Sequence, residues 1–384
     1  MGPVKHSGRS WDRDAEATRA VPCGCPIGGY GENPPDRGGG VAGLTSEPSA
    51  RPNLRQIAVL AGVSKSTVSN VLNNPDLVAQ DTRQRVESAI AKLRYVPNGA
   101  ARQLRAGTSQ IVGCMLFDVS NPYFAGLVRG AEDRLAEAGM MMLMCSLDVE
   151  VAKQEHYLRT LEQHGVRGIL VCPVSSDLTS LFQVQARGTP VVLIGRSTGQ
   201  SDICAADVDD RLGGQLAAGH LLDLGHRELV YVVGEGLTND RRREGVRDAV
   251  ARVGGGSHTL TEITIPCRAE EEQIDAAVER IVQLAPRPTA VMCFNDHTAV
   301  SVLHGLQRRG INVPRDISLV GYDDLPFAAV LSPPLTTVRQ PRYELGKAAT
   351  ELLLSEWTPD HRHQQIWFEP ELVVRSSTAP PPKA

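Results

Sequence analysis

Short apolar runs recur along this chain from Ile111 onward, and the segments between them carry apolar residues at helical spacing. The eight runs predicted as strands are Ile111–Phe117, Met140–Cys145, Gly168–Cys172, Val191–Ile194, Leu229–Val233, Glu262–Ile265, Ala290–Phe294 and Ile317–Gly321. Apolar runs of this length are typical of parallel strands that are covered on both faces. Because β-α units over about 260 residues exceed one comfortable core, the pattern predicts an α/β body of two similar lobes.

The stretch from Asn53 to Asn74 has a different pattern, which predicts two short helices joined by a tight turn. Asn53 and Ser64 are predicted to cap these helices, and Gly62 to permit the bend between them. The second helix turns to solvent a face of short, donor-rich side chains, namely Lys65, Ser66, Thr67, Ser69, Asn70 and Asn73. Such a face suits a helix in the DNA major groove, where hydrogen bonds read the base edges. An ordinary surface helix, the alternative, more often carries Glu and Lys pairs.

The charge of the chain is distributed unevenly. The formal net charge is −4, but residues 51–110 hold nine basic and three acidic side chains, a balance of +6 that leaves −10 for the rest. A third helix, predicted from about Ala79 with Val86, Ala89, Ile90 and Leu93 as its apolar stripe, completes this basic head. A small basic head on an acidic body indicates phosphate contact at one end of the molecule.

The remaining composition excludes several classes of protein. Eight cysteines lie mostly inside apolar runs, and their spacing matches neither a disulfide framework nor a zinc motif, so we expect reduced thiols and no metal. We expect no membrane span, no signal peptide and a cytoplasmic, nucleoid-associated protein. Residues 1–50 are rich in Gly, Pro and Arg and are predicted to be a disordered tail, in which Cys23-x-Cys25 is a weak candidate for metal or redox chemistry.

Several motifs together resemble the lactose/galactose-repressor (LacI/GalR) family. They are A-G-V-S-K-S-T-V-S-N-V-L-N (61–73), T-R-Q-R-V (82–86), Y-V-P-N (95–98), S-N-P-Y-F (120–124), H-L-L-D-L-G-H-R (220–227) and I-S-L-V-G-Y-D-D (317–324). The resemblance covers roughly residues 53–376. It implies an all-α helix-turn-helix head over 51–97 and a two-lobed, periplasmic-binding-protein-like body over 109–376, with strands that cross between the lobes near Thr337–Gln340.

The same resemblance implies that residues 98–108 form a hinge helix that folds on operator DNA. Asn98, Ala101, Arg102 and Leu104 would then contact DNA, and Leu104 would wedge into a base step of the minor groove. The alternative interpretation is a plain linker, since a segment this short and glycine-containing is not stable as an isolated helix.

Ligands of open α/β sheets bind beyond the carboxyl ends of the strands. That rule selects polar and aromatic residues after four of the predicted strands, and the resemblance adds the position of an arginine. The predicted effector contacts are Tyr123, Phe124, Arg196, Arg242, Asn295, Asp296 and Asp323. Carboxylates, arginine and an aromatic face suit a sugar or sugar derivative. Two alternatives stay open: Asp323 could cap a turn, and Arg242 could belong to a solvated arginine run, Arg241 to Arg243.

No catalytic motif accompanies these residues, so we expect a regulator that is not an enzyme and has no cofactor. His220 and His226 are predicted to be structural. Two further hypotheses are a carbohydrate-binding protein or enzyme with an incidental head, and a ligand-independent structural DNA binder. The polar face of the second helix argues against the first of these, and the cleft residues argue against the second.

The expected partners are double-stranded operator DNA, a small-molecule effector and a second copy of the chain. One head covers only a few base pairs, so selectivity requires a dimer on a near-palindromic site. A tetramer is less expected, because no heptad pattern follows Arg375. Residues 377–384, with Pro380 to Pro382, are predicted to be a flexible stub.

Overall fold

The computed structural model describes residues 52–96, 109–197, 202–235, 238–253 and 258–383. By its residue contacts the chain divides into two compact units, one that ends at Val96 and one that begins at Pro97. The predicted tail and the predicted hinge, with Asn98, Ala101, Arg102 and Leu104, lie outside the described residues.

The first unit contains three helices, α1 (Leu54–Ala61), α2 (Lys65–Asn73) and α3 (Gln80–Leu93), and a short 3₁₀ turn over Pro75–Leu77. Asn53 caps α1 through a capping box, Ser64 caps α2 by accepting from the Thr67 N–H, and Gly62 takes a left-handed φ of 65° at the bend. All three roles were predicted from the sequence and are confirmed. The core is made of Ile57, Ala58, Ala61, Val68, Val71, Val86 and Ala89.

The second unit contains two parallel sheets and one small antiparallel sheet. Its strands are β1 (Ile111–Leu116), β2 (Met141–Ser146), β3 (Gly168–Val171), β4 (Val191–Ile194), β5 (Cys204–Val208), β6 (Glu228–Gly234), β7 (Thr259–Ile265), β8 (Ala290–Cys293), β9 (Ser318–Val320), β10 (Thr337–Arg339), β11 (Gln365–Phe368) and β12 (Glu371–Val373). All eight predicted strands are present, with ends shifted by a few residues. The sequence did not predict β5, β11 or β12, and it identified the residues of β10 only as part of a crossing between the lobes.

Helices cover the sheets on both faces, as predicted for parallel strands. They are α4 (Tyr123–Glu137), α5 (Val151–Gln163), α6 (Thr179–Ala186), α7 (Asp210–Asp223), α8 (Thr238–Arg252), α9 (Glu271–Gln283), α10 (Asp296–Arg308) and α11 (Arg342–Ser355). The first lobe is built on the sheet β11-β5-β4-β3-β1-β2, and the second on β7-β6-β8-β9. In the first lobe α4 and α11 pack so closely that a Cβ at Gly346 would overlap the carbonyl of Leu127.

The chain passes between the lobes more than once. It enters the second lobe from β5 to α7, returns from β10 to α11, and leaves the first lobe again between β11 and β12, which pairs antiparallel with β10. The predicted crossing near Thr337–Gln340 is confirmed. Every pairing within each of the two large sheets is parallel, so the carboxyl ends of the strands in one sheet lie along the same edge. The connections between the lobes bring these two edges to one cleft.

The prediction of a flexible C-terminal stub is wrong for Ser377 to Ala379. The Leu319 N–H donates to the carbonyl of Ser377, and Ser377 is buried. His220 Nε2 lies 2.9 Å from Thr378 Oγ1, and His226 Nε2 lies 2.9 Å from the carbonyl oxygen of Ala379. The two histidines are therefore structural, as predicted. The proline content led to the wrong prediction. A segment without its own helix or strand can still be ordered by hydrogen bonds to residues of neighbouring elements, as here.

Candidate DNA-reading face and effector cleft

The predicted DNA-reading residues lie together on α2. Lys65, Ser66 and Asn70 are exposed, and Thr67 and Ser69 are half-buried. The hydroxyls at the start of the helix are bonded to one another, since Ser64 Oγ lies 2.7 Å from Ser66 Oγ and 2.8 Å from Thr67 Oγ1. Thr67 therefore has a part in capping the helix, while Lys65 and Asn70 project freely enough to meet another molecule.

A cavity of about 310 Å³ lies between the two lobes of the body. Its first-lobe wall includes Phe117, Asp118, Tyr123, Phe124 and Asp207, and its second-lobe wall includes Arg242, Phe294, Asn295, His297 and Asp323. Small-molecule sites usually measure about 300–1,000 Å³. The size therefore corresponds to a small ligand that contacts both lobes at once.

Arg242 is held in the cleft wall by a buried network. One of its terminal nitrogens donates to Asp210 Oδ1 at 2.9 Å, another donates to the carbonyl of Phe294, and its guanidinium lies 3.3 Å from the centre of the Tyr322 ring. The Tyr322 hydroxyl also donates to Asp210 Oδ1, at 2.7 Å. Burial opposes the charge of Arg242, but Asp210 and its neighbours together raise the pKa above the usual arginine value. The alternative of a solvated arginine run is therefore wrong for Arg242.

The Nε of Arg242 is buried and has no hydrogen-bond acceptor among the described residues. Buried donors of a guanidinium are nearly always paired, because an unpaired one costs about 1–3 kcal/mol. The donor belongs to a residue that lines the cavity. The nitrogen itself is buried, so its position near the cavity does not expose it to a bound molecule.

Asp323 stands on the same wall and is 4% exposed. Gln340 Nε2 donates to its Oδ1 at 2.7 Å, and its φ of 111° lies in a region that non-glycine residues rarely adopt. Burial raises the pKa of Asp323 to about 8, although Arg242 acts in the opposite direction. A carboxyl group held this way can act as a hydrogen-bond donor as well as an acceptor near neutral pH.

Asn295 and Asp296 follow β8 but have different positions. Asn295 caps α10 by accepting from the Thr298 N–H at 2.8 Å, and it lines the cavity. The carboxylate of Asp296 is completely buried and accepts from Thr337 Oγ1 at 2.6 Å and from the Leu325 N–H at 2.8 Å. Asp296 is not part of the cavity wall. Its expected place in the cleft is thus not observed, because the N-terminus of α10 directs this carboxylate toward the loop after β9.

Arg196 also lies away from the cavity wall, and its Nη1 donates to the carbonyl of Ser175 at 3.3 Å. Tyr123 and Phe124 do line the cavity, with ring centres 5.1 Å apart and nearly perpendicular planes. The Tyr123 hydroxyl donates to Gln340 Oε1 at 3.2 Å and so contacts the strand-to-helix crossing. Five of the seven predicted effector residues therefore share one cavity.

The sequence missed two acidic residues of the cleft, Asp207 and Asp210. Asp207 is the penultimate residue of β5, and its carboxylate accepts from the N–H groups of Ser197 and Val208. Burial together with Asp210 raises its pKa to about 6. The rule that selects residues at the carboxyl ends of strands would have found both, but β5 itself was not predicted. Arg268, also missed, reaches from the second lobe to Asp118 and Asp148 of the first at 3.3 and 3.2 Å.

A second polar cluster was missed entirely. Cys204, Glu356, His361 and His363 bring four potential metal ligands within 4.8 Å of one another in the first lobe. No cysteine or histidine spacing in the sequence predicted this group. Within the described ranges, every helix is too short or too polar to traverse a lipid bilayer.

A three-helix head with a polar reading face and a two-lobed body with an enclosed cleft are the two parts of a ligand-binding DNA regulator. Comparison with known proteins agrees. The profile described as "Bacterial regulatory proteins, lacI family" matches residues 53–98, and the profile "Periplasmic binding protein-like domain" matches residues 218–378. The HTH-type transcriptional repressor PurR of Aliivibrio fischeri (strain MJ11) is 34% identical over 334 residues, which cover 84% of this chain and 97% of that relative.

Solved structures agree as well. The transcriptional regulator CelR in complex with cellobiose is 28% identical with a TM-score of 0.63, over 85% of this chain and 100% of that one. A LacI family regulator from Enterococcus faecium with bound ribose is 28% identical with a TM-score of 0.63, over 70% of this chain and 99% of that one. The chain belongs to the LacI family of bacterial transcriptional repressors and is not an enzyme.

Proposed function

We propose that this repressor binds a near-palindromic operator as a homodimer and that a sugar or sugar derivative in the inter-lobe cleft controls the binding. The observation that carries the effector part is the cavity wall, which combines Arg242, Asp323 and Asn295 with the rings of Tyr123 and Phe124. Carboxyl and guanidinium groups bond hydroxyls in pairs, and an aromatic ring stacks on the apolar face of a sugar ring.

Relatives point in the same direction, since two structural neighbours are solved with cellobiose and with ribose. The cavity of about 310 Å³ is near the lower end of small-molecule sites and favours one ring over an oligosaccharide. Nucleosides share a sugar ring and form the natural comparison in a ligand panel.

The edge strand β2 supports a dimer. Its pattern was predicted to be that of a covered strand, yet Met141, Leu143 and Met144 are 61%, 46% and 54% exposed. Apolar side chains grouped on an exposed sheet edge commonly mark a protein–protein contact. Met144→Glu should shift the chain from dimer to monomer in sedimentation, whereas Val253→Glu, at another exposed apolar residue, should not. A Met144→Glu variant that stays dimeric at micromolar concentration would contradict this interface.

The proposed control couples closure of the cleft to the hinge residues 98–108. An effector that contacts both lobes favours one closure state by its differential affinity, and the paired first lobes move with it. Leu104→Ala should therefore lower operator affinity and leave effector affinity unchanged. A parallel loss of effector binding would count against the hinge role of Leu104.

The test of the whole proposal is selection of bound duplexes from random DNA, followed by competition with single sugars and nucleosides. A symmetric motif should emerge, and at least one compound should shift its affinity severalfold in either direction. Arg242→Met should remove the shift but retain the motif. A chain that shows no preference among duplexes at moderate salt, with or without the panel, would disprove the proposed function.

A further inference from the structure

Four side chains outside the cleft converge in the first lobe where β5 and β11 begin their pairing. Cys204 lies on β5, Glu356 directly follows α11, and His361 and His363 lie in the segment that leads to β11. Each residue directs one potential ligand atom into the group, and all of these atoms lie within 4.8 Å of one another.

The separations of these atoms fit a single small cation. His361 Nε2 and His363 Nδ1 are 3.2 Å apart, and each lies 3.1 Å from Glu356 Oε1. Cys204 Sγ lies 3.4 Å from the first nitrogen and 3.8 Å from the second. In a tetrahedral zinc site with bonds of about 2.0–2.3 Å, the ligand atoms stand roughly 3.3–3.6 Å from each other. The four side chains already have nearly this spacing.

The hydrogen bonds around His361 determine which of its nitrogens faces the group. Ser355 Oγ donates to the carbonyl of Leu352 at 2.6 Å and lies 3.1 Å from His361 Nδ1. A hydroxyl has one proton, so Ser355 must accept from Nδ1–H. Nε2 is then the nitrogen that faces the Glu356 carboxylate and the Cys204 sulfur, and it is the atom through which His361 would bind a metal ion.

Burial favours a cation within this group. Cys204 is fully buried, and the side chains of Glu356 and His361 are 8% and 9% exposed. In the described ranges the ion pairs of Glu356 are with these two histidines, not with a lysine or an arginine. A buried carboxylate without a fixed positive partner is costly. A bound divalent ion would supply that charge.

We propose that Cys204, Glu356, His361 and His363 form a four-coordinate site for a zinc-class transition-metal ion. One sulfur, two nitrogens and one oxygen suit Zn²⁺ or Co²⁺, whereas Mg²⁺ and Ca²⁺ prefer oxygen ligands alone. Because the protein supplies all four ligands, no position is open for a substrate, and the site is structural.

The ion would hold β11 in register on β5. The Gln364 N–H already contacts Cys204 Sγ at 3.3 Å, and the Ala205 N–H donates to the carbonyl of Gln364 at 2.9 Å. The ligands thus lie on both sides of this strand pairing and at the end of α11. Metal binding should therefore stabilise the first lobe without any contact to the cleft.

The first test uses the full chain with Cys23→Ser and Cys25→Ser, so that the tail cannot take up metal through those thiols. After removal of metal with a chelator, Co²⁺ is titrated and visible absorption is recorded. We expect one Co²⁺ per chain, the intense d–d bands of tetrahedral cobalt, a thiolate-to-cobalt charge-transfer band, and displacement by one equivalent of Zn²⁺. No uptake, or an octahedral spectrum without the charge-transfer band, would overturn the proposal.

The second test compares variants in the same background. Cys204→Ser should abolish the charge-transfer band, and His363→Gln should abolish the one-to-one uptake. The matched controls are Cys145→Ser and His156→Gln, which should keep the complete cobalt spectrum. Zn²⁺ should raise the melting temperature of the background protein and both controls, but not of the two site variants. Equal shifts in all four variants would place the metal elsewhere.

If Cys204→Ser does not fold, His363→Gln alone tests the assignment of the four ligands. The His363 side chain is 28% exposed, and its replacement removes no apolar core. If His363→Gln retains the parent circular dichroism and still binds one tetrahedral Co²⁺, the assignment of the four ligands is wrong.

Discussion

The head and the body place their proposed recognition groups in opposite environments. Within residues 52–96 the buried side chains are all apolar, and Lys65, Ser66 and Asn70 of the reading face are exposed. In the body the recognition groups are themselves buried, and the cleft wall holds Arg242 and Asp323 at 7% and 4% exposure. If these residues bind as proposed, the head keeps its binding groups hydrated until DNA arrives, whereas the body desolvates its binding groups when it folds.

This difference predicts where a substitution will act. Removal of an exposed polar group on α2 should change binding and leave the free energy of unfolding almost unchanged. Removal of a buried charge in the cleft should change both, because the partner charge is left unpaired where it is largely shielded from water. Four substitutions test this contrast, in order of decreasing expected effect.

Arg242→Ala should have the largest effect. It leaves the carboxylate of Asp210 with the Tyr322 hydroxyl as its remaining partner in this network. Breaking a buried pair from one side typically costs about 3–5 kcal/mol, and we expect a loss of that size in urea unfolding of the body. Arg252→Ala, at an exposed arginine of the same helix, should cost less than about 0.5 kcal/mol. Similar losses in the two variants would contradict the contrast.

Asp323→Asn should have the next largest effect, visible in the pH dependence of stability. The folded pKa is about 8 and the ordinary value is 3.8, so between these limits the folded state keeps a proton that the unfolded state has lost. The free energy of unfolding should therefore fall as the pH rises from 3.8 to about 8. Raised pKa values of about 6 at Asp207 and Asp296 act with the same sign.

Unfolding curves of Asp323→Asn from about pH 5 to about pH 8 should show a shallower decline than the parent. Asp275→Asn is the control, because arginine partners lower the pKa of exposed Asp275 to about 2 and it is ionised in both states throughout that range. A decline as steep in Asp323→Asn as in the parent would show that this carboxyl is not what titrates.

Much of this contrast was visible in the sequence, because local chemistry decides it. The caps Asn53 and Ser64, the bend at Gly62 and the polar face of α2 depend on residues within one or two helical turns. The cleft residues Tyr123, Phe124 and Asn295 follow strands whose apolar runs were plain to see. Four of the five predicted effector residues in the wall were found for this reason, and Arg242 was found through the family resemblance.

The errors come from arrangements that only tertiary structure decides. Strand β5 was not predicted, because its five residues include Asp207. The acidic residues of the cleft that lie on this strand or just after it were therefore missed as well. Asp296 points away because the start of α10 rotates its side chain toward Thr337. The four-ligand group joins residues as much as 159 positions apart, namely Cys204 and His363. No motif spacing can reveal a site that a parallel strand pairing assembles.

Asn70→Ala should have a smaller effect, confined to DNA. Asn70 is exposed on α2, and loss of one base contact typically costs about 1–3 kcal/mol of discrimination. We expect weaker binding to the selected operator and relaxed preference at one base pair of each half-site, in fluorescence anisotropy with single-base variants. The melting temperature should not change, and Gln84→Ala on α3 should behave as the parent. A uniform loss of affinity for all duplexes would instead indicate a phosphate contact.

Arg268→Ala should have the smallest effect and gives the sharpest test of the contrast. Arg268 lines the same cavity as Arg242 and also pairs with aspartates, but its side chain is 49% exposed. Ion pairs of this exposure contribute about 0–1 kcal/mol, and salt weakens them. We expect a loss below about 1 kcal/mol in urea unfolding, which vanishes at high salt because the parent then loses the same interaction. If Arg268→Ala destabilised the body as much as Arg242→Ala, burial would not be what separates the two arginines, and the distinction between hydrated and desolvated recognition groups would have to be given up.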